Sequence, residues 1–142
     1  MENNLKFDSA ICTSRVQSEL LLALGLKKET ADCALLPLTD KVTSVLVKPS
    51  TKDIKNTIPA WSLGRLLEML PSPIPISEDL PTFHHYAYLD LSKVSAHYYW
   101  EDYDGAERVL ASFCGNGFFA AVVDATEWLI KEGNFPKEYL EE

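Results

Sequence analysis

The sequence has little cysteine, no long apolar run and a deficit of positive charge. Its three cysteines, Cys12, Cys33 and Cys114, are odd in number and share no close spacing. That pattern argues against a disulfide framework and against a zinc knuckle, and reduced thiols fit a cytoplasmic protein. Apolar runs such as Leu20–Leu24 are far too short to cross a bilayer, and the opening MENNLKFDSA lacks the basic-then-apolar layout of a signal peptide. The expected location is the cytoplasm, with no membrane association. Lys and Arg number 13 against 21 Asp and Glu, a net charge of −8. The deficit is concentrated: residues 1–60 carry 8 basic and 7 acidic groups, whereas residues 61–142 carry 5 basic and 14 acidic. Such a C-terminal half repels phosphate backbones, which disfavours nucleic acid as a partner and favours a basic protein.

What is present is an ordinary globular composition. At 142 residues, 46% apolar and 24% charged, residues 1–142 read as one domain with one core. Ser14 and Gln17 have the spacing of a capping box, which starts a helix over about Arg15 to Leu24. Val16, Leu20, Ala23 and Leu24 are its expected core face, and Gly25 its left-handed stop. Residues 27–36 add at most a short helical turn. The β-branched run KVTSVLVK, Lys41–Lys48, reads as a strand followed by a lysine-containing loop.

In IPAWSLGRLLEMLPSPIPI, Ser62 is placed to cap a helix. Trp61 and Leu66 then hold the two positions of a hydrophobic staple, and Leu63, Leu66, Leu67 and Leu70 form an apolar stripe that Pro71 ends. Pro71, Pro73, Pro75 and Pro81 make the following segment a stiff, extended strap. From Phe83 to Cys114 the pattern predicts three antiparallel strands. A two-residue turn at Asp104–Gly105 sets Trp100 opposite Val109, Tyr98 opposite Ala111 and Ala96 opposite Phe113. A turn at Ser92–Lys93 sets Leu89 opposite Ala96 and Ala87 opposite Tyr98. The last helix starts at an Asn116 cap, buries Phe118, Ala121, Val122, Ala125 and Leu129, and ends at Gly133. The sum is an α+β fold: a mostly antiparallel sheet containing a three-stranded meander, with helices packed on one face.

The same register places Tyr86, Tyr99 and Leu110 in one row of the opposite face, Tyr88, His97 and Ser112 in the next, and His84, Glu101 and Arg108 in a third. Glu101 and Arg108 are expected to pair. Tyrosine offers large contact area at low entropic cost, so Tyr86, Tyr88, His97, Tyr99 and Leu110 form the candidate partner-binding surface. Its alternative is a second core beneath another segment. Cys114, at a strand end before a helix, and His97, diagonal to it, are the candidate nucleophile and base of a small cysteine-dependent hydrolase or transferase, though no orienting third residue is evident. A buried structural cysteine is the simpler reading. His84, His85 and His97 do not converge as metal ligands, and no metal or cofactor is expected. GNGFFA matches the glycine pattern of dinucleotide sites but lacks a second parallel strand after it, and WEDYDGAE lacks the ligand order of a calcium loop.

At IPAWSLGRLLEMLP and again at DATEWLIKEGNF the chain resembles a group of small bacterial proteins often found among phage-related or mobile-element genes. The resemblance implies an accessory role in a bacterial cell and carries over no activity or site residue. The reading as a whole is a non-enzymatic protein-interaction module, with self-association open. The enzyme and a small-ligand site beneath the proline strap are its alternatives.

Overall fold

The computed structural model describes residues 10–38, 41–46 and 57–142. Helix α1 spans Arg15–Ala23 and begins at the expected capping box: Ser14 Oγ accepts from Gln17 N at 3.2 Å, and Gln17 Oε1 accepts from Ser14 N at 2.9 Å. Gly25 has φ +99°, which only glycine adopts without strain. The buried face is not the expected one. Ser18 and Leu21 are buried, Leu20 and Leu24 are half-buried, and Val16 and Ala23 are exposed, Val16 at 77%. A hydrogen bond of 2.7 Å between Thr13 Oγ1 and Ser18 Oγ explains the rotation: with its hydroxyl satisfied, a serine can face inward at little cost.

A 3-10 turn at Lys28–Thr30 leads into strand β1, Cys33–Leu38, where the sequence suggested only a helical turn. Strand β1 runs antiparallel to β2, Lys41–Leu46, and to β3, Ile58–Ala60, in the order β2-β1-β3. Among the described residues, β3 pairs with Cys33–Leu35 of β1. Strand β2 is the expected strand, although the end of that expectation at residues 47–48 and the loop beyond it lie outside the described residues.

Beside β3 the chain is tied by buried polar groups. Trp61, fully buried, receives Thr13 Oγ1 as the acceptor of its N–H at 3.1 Å, and its indole Nε1 donates to Thr30 Oγ1 at 2.9 Å. Ser62 donates from its N to Asp32 Oδ1 at 2.8 Å and from its hydroxyl to Asp32 Oδ2 at 2.5 Å, while Ser62 Oγ accepts from Arg65 N at 3.2 Å. Helix α2, Leu63–Met69, therefore starts at the expected cap, and the staple pair Trp61 and Leu66 is fully buried in the main core. Met69 joins Leu66 on the buried face, with Leu63 and Leu67 packed at its margin.

The proline segment does not cross the tyrosine face. Its Ile74–Pro75 forms β4 and adds to the edge of a four-stranded antiparallel sheet, β4-β5-β6-β7, made with β5 Tyr86–Leu91, β6 Ser95–Glu101 and β7 Glu107–Cys114. Ile74 points inward and is buried, and the Ser72–Pro73 peptide is cis. Helix α3, Phe118–Glu132, lies against β6 and β7 and against α2, covering one sheet face. Between them Ala87, Ala96, Tyr98 and Trp100 are buried, with Ala111 and Phe113 half-buried. Tyr98 hydroxyl donates to Pro71 O at 2.7 Å, and burial pushes its phenol pKa up. The molecule is thus an α+β fold with helices on one face of its larger sheet.

At the start of α3 the cap position belongs to Gly117, not to Asn116. Gly117 has φ +102° and makes no side-chain cap, so the expected asparagine lies one residue outside the helix. Ala121, Val122, Val123, Ala125, Thr126 and Leu129 are buried, Phe118 is only half-buried, and Gly133 ends the helix in the left-handed conformation. The tail then returns to α1: Lys27 N donates to Tyr139 O at 2.8 Å, and Glu141 N donates to Gly25 O at 2.7 Å.

Candidate functional site

The meander that carries the candidate surface is set by two hairpins, and each differs from expectation by one residue. Between β5 and β6 the turn falls at Lys93–Val94. Ser92 Oγ accepts from Ser95 N at 3.1 Å, and Ser92 N donates to Ser95 O at 2.9 Å, which closes the loop one residue later than Ser92–Lys93. The pairing slides by two residues, so Leu91 faces Ala96 and Leu89 faces Tyr98. Because a shift of two preserves side-chain parity, each residue of β5 keeps its expected face while its partners change.

Between β6 and β7 the expected two-residue turn is replaced by a loop over residues 102–106. Asp102 Oδ1 accepts from Asp104 N and Ala106 N, both at 2.9 Å, and Gly105 adopts φ +80°. Tyr98 faces Ala111 and Ala96 faces Phe113 as expected, but Trp100 faces Arg108 rather than Val109. A β-bulge absorbs the difference: Tyr99 pairs with Val109 and Tyr98 with Ala111, leaving Leu110 as the extra residue.

The rows of the outer face follow from these registers. Tyr88, Tyr99 and Val109 form one row, and Asp90, His97 and Ser112 the next. Glu101 lies directly opposite Glu107. Tyr86 lies beside Pro75 rather than in the row with Tyr99, and His84 precedes β5 and belongs to none of these rows. Tyr86 is 48% exposed, Tyr88 42%, Leu110 36% and Val109 63%, while Tyr99 and His97 are half-buried. Tyr88 and Tyr99 rings stand 6.2 Å apart, as do those of His97 and Tyr99. Tyr86, Tyr88, Val109 and Leu110 are thus all exposed.

The structure brings Tyr88, His97 and Tyr99 together and adds Val109, which the two-residue turn had wrongly turned toward the core. It also adds Phe83 and Tyr103, an exposed edge-to-face pair with ring centroids 4.6 Å apart beside the β6–β7 loop. An aspartate two residues before Asp104–Gly105 is the signal that marks the longer loop, because its carboxylate can receive the two loop amides.

Charge on this face is one-sided. The expected ion pair of Glu101 with Arg108 does not form; Arg108 Nε donates instead to Asp102 Oδ2 at 2.9 Å. The Ala106 amide, with lesser help from Arg108 and the Asp104 amide, holds the Asp102 carboxyl below the usual range. Glu101, Asp104 and Glu107 form no ion pair among the described residues. Two carboxylates directly opposite each other on neighbouring strands repel.

Cys114 is exposed and lies opposite Ser95, one row beyond the His97–Ser112 pair. His97 Nε2 lies 3.2 Å from Asp90 Oδ2, so an acidic neighbour that the sequence did not reveal stands beside the imidazole. Cys12 and Cys33 are buried in a small cluster with Leu35 and Ala60. Burial, then Asp32 and the facing Cys12 thiol, push the Cys33 thiol up to about 12. Among the described residues no three His, Cys, Asp or Glu side chains are grouped to hold a metal ion, and no helix is long and apolar enough to cross a membrane. No family model, curated protein or solved structure matches the chain.

Proposed function

We propose that this protein is a non-enzymatic interaction module that binds a basic protein partner through the outer face of β5, β6 and β7. The observation that carries the reading is the open row Tyr88, Tyr99 and Val109, flanked by Tyr86 and Leu110, on a sheet whose other face is already filled by α3. Tyrosines held by strand pairing contribute contact area without much ordering cost, and their hydroxyls remain able to bond a partner. The charge of the chain, −8 overall, and Glu101, Asp104 and Glu107, which form no ion pair among the described residues, select for a cationic partner. Free thiols fit a reducing cytoplasm. The IPAWSLGRLLEMLP segment supports an accessory role in a bacterial cell associated with phage or mobile elements, but in the fold it serves as a capped and packed helix start.

The test is native mass spectrometry of the protein recovered gently from its own cells, beside a variant carrying Tyr88→Ser and Tyr99→Ser. A co-purifying protein that is lost from the variant supports the reading. A co-purifying protein retained unchanged by the folded variant refutes it.

A further inference from the structure

We infer that the free edge of β7 takes up an extended segment of the partner as a fifth strand of the β4-β5-β6-β7 sheet. The segment carries an apolar residue beside Val109 and, two positions along on the same face, a lysine or arginine beside Glu107. This rests on the reading of this sheet as the interaction surface and specifies how the partner is held.

The two edges of the sheet differ. Strand β4 is two residues long, contains Pro75 and follows Pro73, so it offers little backbone to a further strand. Strand β7 is eight residues long, lacks proline and, among the described residues, is paired on one side only, with β6. Its sequence ERVLASFC carries charge only at Glu107 and Arg108, and Arg108 is engaged by Asp102. Val109–Cys114 is therefore an uncharged strand edge of the kind that receives extended peptides.

The side chains along that edge specify the occupant. Each cross-strand row of the outer face ends at β7, so an added strand extends the rows. The Tyr88–Tyr99–Val109 row ends at a valine 63% exposed and would be continued by an apolar residue. The Glu101–Glu107 row ends in two facing carboxylates that form no ion pair among the described residues and would be continued by a lysine or arginine, which removes the like-charge conflict. Val109 and Glu107 are two residues apart on one strand, so both demands fall on the same face of the incoming segment. A second copy of this chain meets the apolar demand but carries the same excess of negative charge, so a basic segment is the better occupant.

The test uses the full chain and an end-capped peptide of about eight residues, matched to the strand length, with threonine at alternate positions and lysine, valine, valine and serine between them. On titration followed by amide NMR, shifts should centre on β7, and alternate β7 amides should exchange more slowly in the bound state. Replacing the peptide lysine by glutamate should weaken binding about tenfold, and Glu107→Lys should reverse that preference. Methylating the backbone nitrogens along one edge of the peptide should abolish binding, while methylating the other edge should not. Equal binding by both methylated peptides, or shifts centred on the tyrosines with β7 unchanged, would overturn strand addition and leave the face reading intact. Absence of any shift at millimolar peptide would overturn it as well. Capture of the peptide on β7 together with retention of the natural partner by the Tyr88→Ser, Tyr99→Ser variant would refute the face reading and leave the edge assignment standing.

Discussion

Replacing Asp32 by alanine should destabilise the fold by about 2–3 kcal/mol, because two charge-assisted hydrogen bonds from Ser62 end on its carboxylate. The loss is unequal between them. Ser62 hydroxyl can turn to water and still accept from Arg65 N, whereas the Ser62 amide is left without its acceptor beside the fully buried Trp61. Asparagine keeps one acceptor oxygen, so Asp32→Asn should cost roughly half as much. The pH dependence supplies the sharper test. Burial acts to raise the Asp32 pKa, but the two bonds from Ser62, backbone bonding and the nearby Arg65 guanidinium outweigh it, and the carboxyl is held below its ordinary value. A depressed folded-state pKa gives stability that is fully present above the unfolded value, near 4, and lost as pH falls through the folded one. Urea unfolding followed by tryptophan fluorescence should therefore show the wild type more stable than Asp32→Asn by a constant margin between about pH 5 and 8, shrinking by about pH 3. A margin unchanged at low pH, or an Asp32→Ala cost below about 0.5 kcal/mol, would refute the account of this carboxylate as the anchor of α2.

Under native conditions a thiol reagent should modify Cys114 alone, with Cys12 and Cys33 reacting only on unfolding; mass spectrometry of the alkylated protein gives the site, and rapid modification of Cys33 would contradict its raised pKa and burial. Trp61→Phe should cost about 1–2 kcal/mol by chemical denaturation, since it removes the bond to Thr30 and leaves part of the indole volume empty. Glu107→Lys should stabilise the free protein by about 0.5 kcal/mol by converting the Glu101–Glu107 repulsion into attraction, detectable as a rise in urea midpoint; a fall would show that the two carboxylates do not oppose each other in solution.

What was legible in the sequence is what depends on neighbours a few residues apart. The Ser14–Gln17 box, the Ser62 cap and the Gly133 stop were placed correctly because each is closed by groups within one helical turn. The faces of Tyr86–Leu89 in β5 and Ala96–Glu101 in β6 were also legible, since period-two alternation survived a turn displaced to Lys93–Val94. Val109 was not, because a one-residue change in loop length reverses parity until the bulge at Leu110 restores it. The inward face of α1 depended on Thr13 meeting Ser18, and the strand at Cys33–Leu38 on pairing with Lys41–Leu46 along its length and, at Cys33–Leu35, with the distant Ile58–Ala60. Those choices are made by tertiary partners, to which local apolar periodicity is blind.

The return of the tail to the end of α1 bears on the order of events during synthesis. Residues 25–27 emerge early, yet their hydrogen-bond partners at 138–141 follow more than a hundred residues later, as in the bond from Lys27 Nζ to Glu138 O across 111 positions. Closing so long a loop comes late in folding, after local helices and hairpins have formed. Weakening this clasp should therefore hasten unfolding more than it slows folding, so the clasp acts as a latch on the finished molecule, governing how long the native state persists once made.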